Sequence, residues 1–451
     1  MQKEQIVNRL DTESVGKSFL RYLIPSIVGM LLMAVNIVVD GIMVGNKLGP
    51  VALAGVGIAG PVYTIFVAMS LWIGIGAATR YSAMMGAKRP DQARIIFSHA
   101  ISSIFILTMI IGLTAFVFRT ELAYLLGANA DTFEYTSGYL NVMLLFGFVF
   151  TVENAFSILV RNDGGPNTAM IALIATSVVN IILNYVFLFV LDYGVEGAAI
   201  ATVLGALTGL IILSTHFFRK KSNLRFVRFK FDKKLALLIL VIGFPSFLAE
   251  VGISVFTISH NIAFKELAGT VGVSAFTILN YVHSVMLLLF LGMGSAIQPL
   301  ISYYSGAKDE KKMKQTIRLA IGTALAAGIF FVFIGQFAAT QIVSLFGDFP
   351  EAVVTLAVSG IKLFFIAYLF MGTNFVMMTY YQSIGHIKMA TWITAAREII
   401  VLLILLMIMP RLFGLSGVWL AIPTSEFIVL LTIYFYHKKW YSQNSELRLA
   451  K

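Results

Sequence analysis

Twelve blocks of twenty or more mostly apolar residues fill this chain, and each ends at a Gly, Pro or charged break. They fall near residues 17–45, 51–84, 94–118, 136–160, 167–190 and 196–218, then near 236–264, 271–304, 315–340, 357–383, 388–410 and 416–436. A helix of about 20 apolar residues crosses a hydrocarbon core about 30 Å thick, so each block is long enough to span a bilayer. Composition agrees. Of 451 residues, 59% are hydrophobic and 12% charged, against roughly 25% charged in a soluble domain. That leaves too little polar surface to coat several soluble globules. The expected fold is an all-α polytopic membrane protein of twelve transmembrane helices. A soluble enzyme, a disordered tail and a nucleic-acid-binding module are excluded.

The net charge of +11 could point to an acidic partner, but its distribution argues otherwise. With the N-terminus placed inside, 26 of the 33 Lys and Arg fall on cytoplasmic segments and 5 on the other side, with Arg80 and Arg397 left within spans. Positive charge on short loops sets orientation, so both termini and the basic linker are expected in the cytoplasm. The linker is FRKKSNLRFVRFKFDKK, with Arg219, Lys220, Lys221, Arg225, Arg228, Lys230, Lys233 and Lys234. The polar N-terminus runs into a long apolar segment without a small-residue cleavage site, so no signal peptide is expected. The absence of cysteine removes disulfides and thiolate metal sites.

The two sets of six spans also repeat. At an offset of 220, Pro25-Ser26 falls on Pro245-Ser246, Gly74 on Gly294, and Gly86-Ala87-Lys88 on Gly306-Ala307-Lys308. Gly127, Gly165, Gly194 and Gly197 fall on Gly347, Gly385, Gly414 and Gly417. Aligned Gly and Pro at helix ends set turns and kinks. Six spans enter and leave on the same side, so the halves are expected to be related by a pseudo-twofold axis along the membrane normal, as in some secondary transporters. The expected organisation is an N-terminal lobe at 1–218, the basic linker at 219–235, a C-terminal lobe at 236–437 and a cytoplasmic tail at 438–451.

A charged side chain at the bilayer centre costs about 2.5–3.5 kcal/mol on insertion scales, which makes each one a functional candidate. Within the spans these are Asp40, Glu153, Glu250, Arg397, Glu398 and Glu426, with His260 as a titratable neutral. Asp40 has Asn36 one turn before it on the same face, the fifth span carries Asn180 and Asn184 four apart, and the sixth offers Thr202 among small residues. These oxygens suit Na⁺ at Asp40, Asn180, Asn184 and Thr202, or a protonatable Asp40 in a polar pocket. The plainer alternative is a buried Asp tied to Asn partners for packing. Glu250, Ser254, Thr257 and Asn261 form a polar stripe down the seventh span, and His260 occupies the repeat position of Asp40. A lone helical His is more often a packing residue than a titrating one. Arg397 and Glu398 are adjacent, point about 100° apart, and are expected to pair across helices, for example with Glu426 or Glu153, rather than with each other. The candidates for substrate binding or C-lobe coupling are thus Glu250, His260, Glu153, Arg397, Glu398 and Glu426. No HExxH, GxSxG or Walker A pattern occurs. Catalytic residues and cofactors are therefore not expected, and transport would run on an ion gradient or downhill.

Beyond these residues, the chain resembles the MATE (multidrug and toxic compound extrusion) family, closest to its MepA-like and DinF-like bacterial branch. The resemblance rests on IPSIVGMLLMAVNIVVDGIMVG in the first span, LGPVALAGVG before the second, RNDGGPNTAM at 161–170 and YGVEGAAIATVLG at 193–205. It covers nearly the whole chain. It implies export of cationic or amphipathic drug-like molecules by alternating access, coupled to H⁺ or Na⁺. It also implies an N-lobe coupling site at Asp40, Asn180, Asn184 and Thr202. Many relatives carry a second acid where this chain has Asn184, which leaves Asp40 as the N-lobe proton carrier and favours H⁺ over Na⁺. Glu250 resembles the seventh-helix acid of the NorM-like branch.

Together these readings predict a monomeric multidrug efflux antiporter of a bacterial cytoplasmic membrane. Its partners would be small molecules and the lipid bilayer, without nucleic acid. A flippase for a lipid-linked or amphipathic metabolite would need a strongly cationic cavity, for which Arg397 is the one candidate. An intramembrane transferase would need clustered acids holding Mg²⁺, and no such Asp pair occurs. A channel would conduct without exchange.

Overall fold

The computed structural model describes residues 9–219 and 222–449, with side chains to 438. Lys220 and Lys221 of the basic linker, residues 1–8 and the tail side chains from 439 lie outside the described set. Among the described residues the fold is helical apart from turns and the extended linker at 222–232, with twelve long segments. Two rods, Val15–Gly86 and Lys233–Gly306, are each interrupted at one non-helical residue, Gly49 and Gly269. Their limbs are α1 (15–48), α2 (50–86), α7 (233–268) and α8 (270–306). The others are α3 (Pro90–Val117), α4 (Phe133–Asn162), α5 (Pro166–Val190), α6 (Gly194–Phe218), α9 (Glu310–Phe337), α10 (Glu351–Ser383), α11 (Ile387–Phe413) and α12 (Leu415–Leu449). The loops expected at 46–50 and 265–270 shrink to a single residue. Glycine at φ +85° and +55° turns the chain without a loop.

The repeat read from Gly and Pro recurs in backbone geometry. Gly127 and Gly347 both take positive φ, as do Gly194 and Gly414, and short helices at Arg119–Leu125 and Ala339–Ser344 follow α3 and α9. α2 and α8 end in the same cap. The N–H groups of Lys88 and Arg89 donate to Met85 and Met84 carbonyls, and those of Lys308 and Asp309 to Ser305 and Tyr304. This is the Schellman pattern, with lysine at φ +60° and +56° where glycine is usual.

Large apolar side chains face outward on α3, where Ile106, Ile110, Leu113 and Val117 form one exposed stripe. On a soluble protein such a stripe would be a liability; on a membrane-spanning helix it meets lipid.

The chain divides into two compact units, Met1–Phe247 with Gln298–Met313, and Leu248–Ile297 with Lys314–Lys451. In the first unit, glycines let helix backbones touch. A Cβ at Gly86 would lie 2.0 Å from the Tyr303 carbonyl oxygen, and one at Gly306 1.9 Å from that of Ala83, a reciprocal contact between repeat-related positions. Beside it, the short N-terminal helix places Asp11 against Lys88 and the Tyr303 hydroxyl, while Lys312 donates to the Leu10 and Asp11 carbonyls. In the second unit the core is aromatic, with Phe256, Phe264, Phe276, Phe364, Tyr368 and Trp419 buried together.

Candidate functional site

α1 and α5 run in the same direction and meet through two polar rungs one helical turn apart. Asn36 Nδ2 donates to Asn180 Oδ1 at 2.6 Å, and Asn184 Nδ2 donates to Asp40 Oδ1 at 2.5 Å. The i, i+4 spacing on both helices produces this register. Asn180 Nδ2 then donates to the Thr202 hydroxyl of α6 at 3.2 Å, and that hydroxyl donates to the Ala198 carbonyl. The five residues singled out around Asp40 therefore form one connected seam. Tyr139 of α4 lies close to both Asp40 and Thr202. Asn180 and Asn184 are buried, whereas Asn36 and Asp40 are partly exposed. The buried Asn184 Oδ1 has no hydrogen-bond partner.

Asp40 is the seam's single carboxylate; one carboxamide, Asn184 Nδ2, donates to it, and the other two donate to Asn180 Oδ1 and the Thr202 hydroxyl. An Na⁺ cage needs oxygens converging on one point, which here would require those carboxamides to turn over. Among the described residues, no group of three or more His, Cys, Asp or Glu is placed to hold a metal ion.

Glu153 of α4 lies in the same unit. It is 5% exposed, and its carboxylate accepts from the Thr176 hydroxyl of α5 at 3.4 Å. Gly209 of α6 makes room for this pair, since a Cβ there would fall 2.1 Å from Thr176 Oγ1 and 2.7 Å from Glu153 Oε1.

The remaining candidates lie in the second unit. Arg397 Nε and Nη2 reach Glu426 Oε1 at 3.0 and 2.9 Å, and the guanidinium stacks on Phe375 at 3.9 Å. Asn374 Nδ2 donates to the other Glu426 oxygen at 2.6 Å. The expectation that Arg397 and Glu398 do not pair is corrected, because Nη2 lies 3.1 Å from Glu398 Oε1. Residues Ala396–Ile400 form a π-helical turn. Its wider winding brings consecutive side chains closer around the axis, and the long Arg stem swings back over its neighbour. Glu250 lies near Glu398, which also bounds Gly252 at 2.4 Å from where a Cβ would sit. His260 is fully buried between Phe256 and Phe276, with Nδ1 2.9 Å from the Phe256 carbonyl oxygen, the setting of a packing residue. On α7 the buried stripe is Gly252, Phe256, His260 and Phe264, so Ser254 of the expected polar stripe faces outward.

Sequence reasoning passed over Asp163, part of the 161–170 motif. Its side chain is 2% exposed and holds four short contacts, from the Tyr81 hydroxyl (2.7 Å), His216 Nε2, the Ser222 hydroxyl and the Asn223 amide (2.9 Å each). It thereby ties α2, the end of α6 and the linker together. The available signal was an acid in a Gly-Gly turn between two helices, beside a linker rich in donors.

Twelve long apolar helices around a polar seam form a membrane-spanning bundle. The MatE family model matches residues 25–186 and 245–408, and the chain belongs to that family, which makes it a secondary transporter rather than an enzyme. The two matched segments begin at Pro25 and Pro245, positions paired by the repeat. The chain is 26% identical over 436 residues to "Multidrug export protein MepA" of Staphylococcus saprophyticus, covering 95% of each. It is 27% identical over 442 residues to the protein of that name from Staphylococcus haemolyticus, covering 96% of each. Among solved structures, it matches an outward-facing multidrug resistance MATE family transporter of the MOP superfamily with a TM-score of 0.90. That match has 24% identity and covers 99% of this chain and 100% of the other. A MOP superfamily transporter from Pyrococcus furiosus matches at 0.89, with 24% identity and coverage of 98% and 99%.

Proposed function

We propose that the chain exports cationic or amphipathic drug-like molecules from a bacterial cytoplasmic membrane in exchange for protons. The observation that carries this reading is Asp40, the one carboxylate of a seam otherwise made of neutral amides and a hydroxyl, with Asn184 donating to it. The relatives' names, multidrug export proteins, support the substrate class. The lobes would be 1–218 and 236–437, joined by the linker at 219–235 and followed by the tail at 438–451. Both termini would be cytoplasmic, as the Lys and Arg asymmetry favours, and the chain would act as a monomer.

The mechanism follows from differential binding. An ionised Asp40 favours a cationic substrate or a solvated cavity. A proton arriving from outside removes that charge, weakens the substrate's hold and leaves Asn184 with a neutral acid as partner. If one cation leaves for each proton entering, exchange is electroneutral, and each unit of pH difference is worth about tenfold in substrate gradient.

The test is Asp40→Asn in membrane vesicles, following efflux of a fluorescent organic cation under an imposed pH gradient. The substitution is expected to abolish gradient-driven efflux while leaving protein levels intact. Unchanged efflux would sink the assignment. A parallel arm with a Na⁺ gradient and no pH gradient separates the two ions, and wild-type efflux there would overturn proton coupling.

A further inference from the structure

The polar face of α5 does not end at the Asp40 rungs. Thr176, Asn180 and Asn184 follow one another at i, i+4 and i+8 on the same side. They meet, in turn, Glu153, then Asn36 and Thr202, then Asp40. At 1.5 Å of rise per residue, the Glu153 and Asp40 levels are about 12 Å apart. α6 covers this face with small residues. A Cβ at Gly205 would meet the Thr176 carbonyl oxygen at 2.7 Å and Asn180 Cβ at 3.0 Å, and Gly209 clears the Glu153–Thr176 pair. One helix face thus carries a carboxylate at each end, Asp40 partly exposed and Glu153 buried.

α2, α3, α5, α6 and the short helix Arg119–Leu125 pack on α4. Among the described residues, none of them places a Lys, Arg or His at ion-pairing distance from Glu153. Thr176 is its hydrogen-bond partner. A bare charge is strongly penalised in such a place, so a bound positive species must accompany the carboxylate whenever the site is closed. Glu153 and Thr176 offer too few oxygens for a hard cation, which takes a cage of several. A proton needs one.

We infer that Glu153 is a second proton-carrying carboxylate of the Asp40 seam, so that each transport cycle exchanges two protons. The inference rests on the proton-coupled reading of Asp40 and extends it to stoichiometry. Asp40 exchanges its proton from the exposed end of the α5 face. Glu153 exchanges its own when α4 and α6 part around Gly209. A two-for-one exchange with a monovalent cation moves net charge, so membrane potential as well as pH difference drives it.

The test uses the full chain in proteoliposomes, with membrane potential clamped at zero by potassium and valinomycin and ethidium as the transported cation. Per unit of pH difference, steady-state accumulation is tenfold for one proton and a hundredfold for two. The wild type is expected to approach a hundredfold and Glu153→Gln tenfold. Infrared difference spectra across a pH step read the same group without transport. Glu153→Gln should lose one protonated-acid C=O stretch that Asp40→Asn keeps, and Asp40→Asn should lose the other. A hundredfold gradient in Glu153→Gln, or retention there of both acid bands, overturns the inference, as does a wild type that reaches tenfold only. Should the Gln variant not fold, Glu153→Asp withdraws the acid from Thr176 and must shift the band. An unmoved band is equally fatal. Full transport by Asp40→Asn would defeat the underlying coupling reading, and the infrared arm would still decide the role of Glu153.

Discussion

Replacing Asp163 by alanine should be among the most damaging single changes outside the membrane core. The carboxylate is buried and serves Tyr81, His216, Ser222 and the Asn223 amide, all at 2.9 Å or less. Alanine removes every acceptor at once. A buried donor left without a partner costs about 1–3 kcal/mol, and four such donors at the low end, allowing for water entering the vacated space, sum to about 4 kcal/mol. Asp163→Asn keeps one oxygen and should cost about half as much. For a cooperative unit of a few hundred residues, 1 kcal/mol moves the unfolding midpoint by roughly 2 °C or more. Thermal unfolding of purified protein in detergent should therefore show a fall of roughly 8 °C for the alanine variant and a smaller one for asparagine. The same substitution frees Ser222 to Leu224, so trypsin should cleave faster after Arg225 and Arg228. A midpoint within about 2 °C of wild type, together with unchanged proteolysis, would refute the hub.

Two other outcomes follow from the packing. Arg397→Met leaves Glu426 and Glu398 facing each other without their cation. Breaking a buried pair from one side costs about 3–5 kcal/mol, and adding Glu426→Gln should recover part of the lost thermal stability. Gly86→Ala drives a methyl to 2.0 Å from the Tyr303 carbonyl oxygen, so it should destabilise by about 3 kcal/mol or more. Gly322→Ala, with open space around it, should be close to neutral in the same unfolding assay.

The spans were legible because hydrophobic length is a property of consecutive residues. The repeat was legible because turns demand Gly or Pro at fixed places, and Gly127, Gly194, Gly347 and Gly414 all take positive φ. The pairing of Asn36 with Asn180 and of Asp40 with Asn184 was half legible. Spacing put Asn36 and Asp40 on one face of α1, and Asn180 and Asn184 on one face of α5, but the register between the two helices is set by tertiary packing. The Arg397–Glu398 contact was misjudged because regular helix geometry was assumed where a π-turn occurs. Thr176 went unnoticed as an isolated hydroxyl; its meaning comes from Glu153 across the helix pair and from Gly209 clearing the space.

By itself, then, the sequence determined the solvent this protein folds in, the number and order of its helices, and the few ionisable groups a bilayer must accommodate. These depend on local runs and on the high cost of charge in hydrocarbon. Tertiary structure alone decided which of those groups share a seam, which is neutralised by Arg397, and which, like Glu153, is left without a cation. A buried charge is defined by what packs against it, and for these residues that partner lies on a helix distant in the chain.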